Sequence, residues 1–261
     1  MALITMAVYD TESNERTDCT RRTLASLLET VEFSNHRMHI VNNASHEESR
    51  DLIQRFAENV GNDRVIVTHL DENVGCAKGV NIGLSTRHEN EHCIKMDNDV
   101  VIHQAGWADQ LEEAVNRDPG IGILGLKRKD LMEHPTHEDS QFKSELVMLP
   151  KEPWQTWIVV ERVKHVVGTC QLFNHRLLDR IGYLNSPGPY GYDDSLVCVR
   201  CEVAGFSCCF MPHIEIDHLD EGSEQYSRWK WHYVVTCDGE FNRLVDGYRD
   251  GSIDIYYGVD G

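Results

Sequence analysis

From residue 3 to residue 126 the chain alternates between short apolar runs and longer segments whose apolar residues recur at helical spacing. This alternation leaves few folds open. Residues 3–9, 37–43, 64–70, 91–97 and 120–126 read as strands, and residues 20–33, 46–60, 73–88 and 106–118 as helices. In the first helical segment Leu24, Leu27, Leu28 and Val31 share one face. Successive strands joined by helices at this spacing require right-handed crossovers, so the pattern predicts an α/β fold on a parallel sheet.

The second half breaks the pattern. Residues 127–163 are polar and irregular, with Pro135, Pro150 and Pro153. One or two strands are expected within 157–168, a helix over 174–182, a Gly/Pro loop over 185–192 and a helix over 193–205. Strands are expected at 207–212 and 214–219, and a last amphipathic helix from Glu224 to Val245. Residues 247–261, rich in Gly and Asp, read as a loosely held tail. The expected organisation is a binding half over 1–126, a second half of the same domain over 127–245, and a C-terminal tail over 246–261.

With 43 acidic and 25 basic residues the net charge is -18, which argues against general binding to nucleic acids or anionic lipid surfaces. An anionic ligand would need a cation or a nest of backbone N–H groups to sit here. No apolar run approaches the ~18 residues of a membrane span. The first residues read as a strand, not as a secretion signal. Nine cysteines without such a signal imply reduced thiols and a cytoplasmic location. Cys198, Cys201, Cys208 and Cys209 have partial zinc-like spacing, but two fall inside a predicted helix and no second spaced pair follows. They read as core cysteines.

Ligands of open parallel sheets bind at the carboxyl ends of the strands. Four of those ends are polar here: Val8-Tyr9-Asp10, Val41-Asn42-Asn43-Ala44-Ser45, Glu72-Asn73-Val74-Gly75 and Asp97-Asn98-Asp99. Asp97 and Asp99 can offer oxygens to one hard divalent cation, Mg2+ or Mn2+, able to neutralise a diphosphate. The same three residues also suit a tight turn before a returning strand at Val100–Ile102. Asp193 and Asp194 open a helix. Either a carboxylate there is a general base or both simply favour the helix N-terminus. Lys78 can reach a phosphate or lie in solvent, Tyr9 can stack on a base or pack, and His218 is one histidine of 14.

Taken in order, the segments MAVYD, IVNNAS, ENVGCAKGVNIGL, IKMDNDV, HVVGTCQLFNHRLLDRIGYLNS, GYDDSLVCVRCEVAGF and IDHLDEGS resemble the inverting GT-A glycosyltransferases called family 2. The resemblance covers the chain from Ile4 to about Ser223. It implies a GT-A type fold, with a Rossmann-like, mostly parallel central sheet flanked by helices and an acceptor-binding second half. It implies nucleotide-sugar contacts from Tyr9, Asp10, Asn42, Lys78, Asp97 and Asn98. Asn42 stands where many relatives carry an Asp that holds the base, usually uracil, so a UDP-sugar is the first expectation. Metal ligands are implied at Asp97, Asp99 and His218, for Mn2+ or Mg2+. Asp194, with Asp193 before it, matches the catalytic acidic pair; relatives have Glu at the first position and another Asp where Leu196 stands.

The implied reaction is an in-line displacement that inverts the sugar's anomeric centre, with Asp194 taking the proton of an acceptor hydroxyl. The acceptor, a carbohydrate or another small hydroxyl compound, is expected near Trp154, Trp157 and Trp229, whose flat faces suit sugar rings as well as a core. Two other readings stay open. One is a nucleotidyltransferase, for which the N-terminal Gly-rich phosphate loop is missing and Asp194 has no role. The other is a non-catalytic nucleotide-sugar or carbohydrate-binding protein.

Overall fold

The computed structural model describes residues 1–129, 145–153 and 155–258. β1 (Ala2–Val8) is buried on both faces, as its unbroken apolar run requires of a central parallel strand. It pairs in parallel with β2 (Arg37–Asn43) on one side and β4 (His92–Met96) on the other, and β2 pairs in parallel with β3 (Val65–Leu70). The crossovers are α1 (Thr17–Thr30), α2 (Glu47–Val60) and α3 (Cys76–Leu84). α3 packs so close to β1 that a Cβ at Gly83 would fall 1.8 Å from Thr5 Oγ1, so only glycine fits there.

After β4 come β5 (Val100–Ile102), α4 (Trp107–Arg117) and β6 (Ile121–Arg128). The regular alternation predicts β6 next in a parallel array. Instead β9 (Cys170–Phe173) enters between β4 and β6, antiparallel to both. Nothing in the sequence marks β9 as a strand; its four residues are too few to carry a period. Beyond β6 the sheet continues through β10 (Ser207–His218) and β8 (Val159–Val163) to β7 (Glu145–Met148). The result is a ten-stranded sheet with a parallel half and a mixed half.

β10 replaces the two strands expected around Pro212. It is one strand of 12 residues whose register on β6 shifts between Met211 and Glu215, so the proline falls at the irregularity. Its last three residues pair with β5, His218 opposite Val100. The turn at residues 97–99 thus leads into β5, which runs beside the end of β10 and sets Asp99 beside His218.

Helices cover both faces. One core lies under α1, α2 and α4, and the other under α3, α5 (His175–Ile181) and α6 (Asp193–Val203). Cys198, Cys201, Cys208 and Cys209 are buried free thiols in the core, as expected.

The C-terminus departs from expectation. α7 (Glu224–Asp250) runs past Val245, and the segment that follows is held at Ile255 and Tyr257 rather than loose. Arg200, fully buried on α6, donates from Nε to the Ile255 carbonyl at 2.8 Å, and from Nη1 to Tyr183 O at 2.8 Å and Asn185 Oδ1 at 3.1 Å. Tyr257 exchanges backbone hydrogen bonds with Ile181 and Tyr183. The partner of the tail is an arginine in the last turn of a distant helix, so the tail's own Gly/Asp-rich composition does not reveal the anchorage. Among the described residues no helix is long and apolar enough to cross a membrane.

Candidate active site

The carboxyl ends of β1, β2 and β4 open onto a cavity of about 400 Å³, whose far wall is made by α6, α7 and the loop before α6. That size suits a small ligand. Tyr9, Asp97, Asn98, Asp99, Asp193 and Asp194 all line it, together with His218 and Trp229.

Asp99 is buried at the end of the 97–99 turn. Its Oδ2 accepts from the Arg16 guanidinium and lies 3.3 Å from His218 Nε2. Burial pushes its carboxyl upward, but His218 and Arg16 outweigh burial and hold it well below the usual carboxylate range. Asp99, His218 and Asp220 each offer a ligand atom within 4.8 Å of the others. Asp99 Oδ1 and His218 Nδ1 are buried, with no hydrogen-bond partner among the described residues. Two carboxylates and an imidazole with spare lone pairs suit a divalent cation. The third place in this cluster goes to Asp220. Asp97, expected from the sequence to be a ligand, turns its carboxylate to Lys95 Nζ at 2.8 Å instead.

Lys95 is the residue that sequence reasoning missed at the centre of the site. It is buried on β4, donates to Gly168 O at 2.5 Å, and reaches Asp97 at 2.8 Å and Asp193 at 3.8 Å. Burial alone would lower its ammonium, yet Asp97 and Asp193 hold it well above its ordinary value. Burial, opposed by Lys95 and reinforced by the charge of Asp99, raises Asp97 to about 6. A signal was present: a lysine in an otherwise apolar central run must find partners where it is buried.

Asp193 and Asp194 owe their place to a strained entry into α6. Gly191 has φ 88° and Tyr192 φ 65°, the latter costing about 1–3 kcal/mol for a non-glycine residue. Tyr192 is braced against α7: its hydroxyl donates to Val234 O at 3.1 Å and its ring stacks on Phe241 at 4.3 Å. Asp194 Oδ2 accepts from Gly168 N at 3.0 Å and lies 3.4 Å from His165 Nε2; Oδ1 accepts from Ser195 N at 2.7 Å. Burial pushes Asp194 up, but His165, Lys95 and the Gly168 N–H prevail and set it at about 2. Asp193 is raised, by burial first, with Lys95 opposing and Asp194 adding. The two adjacent carboxylates are thus pushed in opposite directions, Asp193 up and Asp194 down.

Other expected site residues lie elsewhere. Asp10 is buried, accepts from Thr20, Ser49 and Asn98, and does not line the cavity. It holds Asn98 from behind, because a carboxylate this enclosed is satisfied by the protein. Asn42 is buried, contacting His69 Nδ1 at 3.0 Å and accepting from Ser45 N at 2.9 Å, whereas its neighbour Asn43 lines the cavity. Lys78 lies on the wall of a separate cavity. Trp157 is 60% exposed under Lys151 and away from the site, and Trp154 lies outside the described residues. Trp229 packs with Tyr190, Tyr226 and Tyr233 on the cavity's α7 side. Arg16, Tyr190, Tyr226 and Lys230 also line it; none stands in a motif that marks it.

The family model described as "Glycosyl transferase family 2" matches residues 13–182. A comparison with curated protein sequences gives no match. Among solved structures the chain is similar to a mannosyltransferase, PcManGT from Pyrobaculum calidifontis, in complex with GDP-Man and Mn2+, at 16% identity and a TM-score of 0.62, covering 87% of this chain and 59% of that one. It is similar to GalNAc-T7 with UDP, GalNAc and Mn2+, at 13% identity and a TM-score of 0.63, covering 84% and 43%. It is also similar to S. aureus TarS 1-349 in complex with UDP-GlcNAc, at 15% identity and a TM-score of 0.61, covering 87% and 61%. The chain thus spans less than two thirds of each. These likenesses place its mostly parallel sheet and flanking helices in the GT-A type fold.

Proposed function

The chain belongs to glycosyl transferase family 2, and on that premise we propose that it moves a sugar from a nucleoside-diphosphate sugar to an acceptor hydroxyl, inverting the anomeric centre, with Asp194 as general base. The observation that carries this reading is the meeting of two carboxylate sets across one cavity. Asp99, His218 and Asp220 form the cation cluster on one side, and Asp194 stands ionised on the other.

Asp194 takes the acceptor's proton as that oxygen attacks the anomeric carbon. The bond from the anomeric carbon to the phosphate oxygen breaks, and its electron pair leaves with the nucleoside diphosphate. A divalent cation held by Asp99, His218 and Asp220, Mn2+ or Mg2+, would supply Lewis-acid neutralisation of the diphosphate's charge. Gly168 N and Ser195 N fix both oxygens of Asp194, so the base is oriented before the acceptor arrives. A carboxylate this acidic is a weak base, which suits a displacement in which the proton moves late. The acceptor lies on the α7 side, against Trp229 and Tyr190. A uridine nucleotide remains the first donor to try, and nine free thiols favour a reducing, cytoplasmic setting.

The test is Asp194→Asn. The variant should bind nucleotide with Mn2+ as the parent does, read by thermal shift, and lose transfer by about 10²–10⁴-fold. Transfer at the parental rate would remove Asp194 from the mechanism.

A further inference from the structure

Two of the three groups in the cation cluster already carry a positive partner. Asp99 accepts from Arg16, and Asp220 Oδ1 lies 2.6 Å from Lys230 Nζ. Arg16 and Lys230 come from opposite ends of the chain, yet both line the cavity and both stand over the Tyr226 ring, at 5.0 and 5.2 Å from its centroid. Lys230 also lies 5.8 Å from the Tyr190 ring. A divalent cation arriving at Asp99, His218 and Asp220 therefore meets a guanidinium and an ammonium on the same carboxylates.

We propose that Arg16 and Lys230 bind the donor's diphosphate, and that they wait on the carboxylates of the cation cluster until cation and diphosphate arrive together. This rests on the donor reading above and adds to it the residues that hold the phosphates and the order in which charges exchange. Asp99 and Asp220 would pass to the divalent cation, leaving Arg16 and Lys230 to turn to the phosphates. The Tyr226 ring lets each of them leave its carboxylate without losing an attractive surface. A guanidinium fork matches phosphate oxygens, and an ammonium serves as a point charge. Two other basic groups fit the role less well: Lys78 faces a different cavity, and Lys95 is paired with Asp97 and Asp193, carboxylates outside the cation cluster, so a cation there would not release it. Because cation and diphosphate each remove an obstacle to the other, binding of either strengthens binding of the other by the same factor.

The test measures Mn2+ binding, by the EPR signal of free Mn2+, and UDP and GDP binding at saturating Mn2+, by calorimetry. Lys230→Met keeps the side chain's apolar stem over the tyrosines and removes its charge. It should bind Mn2+ alone roughly fivefold more tightly than the wild type, because a competing ion pair and a like charge are gone. It should bind the nucleoside diphosphate about tenfold more weakly. Arg16→Gln should move both constants in the same directions. Arg228→Met, two residues earlier on α7 and paired with Glu224, removes the same charge and should change neither. Unchanged or weaker Mn2+ binding by Lys230→Met overturns the exchange, as does an equal gain in Arg228→Met, which would be an effect of net charge. If folded wild-type protein binds neither UDP nor GDP with Mn2+, the donor reading itself falls; if it binds one and Lys230→Met shows no opposed shifts, only the exchange falls.

Discussion

Gly168→Ala is the smallest change that reaches the proposed base without touching it. The Gly168 N–H holds Asp194 Oδ2 at 3.0 Å, and its carbonyl accepts from Lys95 at 2.5 Å. A Cβ there would lie 2.8 Å from Lys95 Nζ, 3.2 Å from Asp194 Cβ and 3.5 Å from Asp194 Oδ2. A carbon settles at about 3.5 Å or more from its neighbours, so Nζ must retreat by roughly 0.7 Å and Asp194 Cβ by roughly 0.3 Å. Lys95 has little room to yield, being 3% exposed with oxygens around its ammonium. The strain of such overpacking is about 1–3 kcal/mol, read as a lower urea midpoint. A misplacement of about 1 Å costs a reaction up to about 10²-fold, and Asp194 moves by about a third of that, so kcat should fall by roughly 3- to 10-fold, about 0.7–1.4 kcal/mol of barrier. Donor binding should hold, because the added Cβ meets Lys95 and Asp194 and none of the groups proposed to hold the cation and the diphosphate. Initial rates across donor and acceptor concentrations separate these effects. An unchanged kcat in folded Gly168→Ala would mean that the exact position of Asp194 does not matter, and the base assignment would fall with it.

Three further outcomes follow from the same geometry. Excess EDTA should abolish transfer and the cation-dependent part of nucleotide binding, and Asp99→Ala should do the same without chelator; full turnover in chelator removes the cation from the reaction. Asp194 sits below its ordinary 3.8, at about 2, so its ionised form stabilises the fold above about pH 4, and that contribution is lost as pH falls through about 2. The urea midpoint of the wild type relative to Asp194→Asn should therefore drop between pH 5 and pH 2, in an experiment at about those values, and a constant difference contradicts the pairing with His165 and Gly168. Arg200→Met removes the donor that ties α6 to the C-terminal segment; the fold should lose about 2–3 kcal/mol, and limited proteolysis should cut near Ile255 where the wild type resists.

What the sequence made legible is what sits next to its own partners along the chain. Asp97-Asn98-Asp99 ends a strand, Asp193-Asp194 opens a helix, and His218 follows an apolar run. Each is a local pattern, and the fold brings all of them to one cavity. The positive half of the site had no such pattern. Arg16 meets Asp99 across 83 residues and the Glu221 carbonyl across 205, and Lys95 reaches Gly168 only because β9 enters antiparallel beside β4. Arg16 carries no mark in its own neighbourhood, and Lys95, a lysine in an apolar run, shows that it must have partners but not which; clustered acids announce themselves. Net charge misleads for the same reason. A chain at -18 suggests a site that relies on a metal to hold an anion, yet Arg16, Lys95, Arg128 and Lys230 all line this cavity. The acidic excess lies mostly on the outside, so it describes what the surface repels; inside, these cations stand among Asp97, Asp99, Asp193, Asp194 and Asp220, and the pairing between them decides what the cavity can hold.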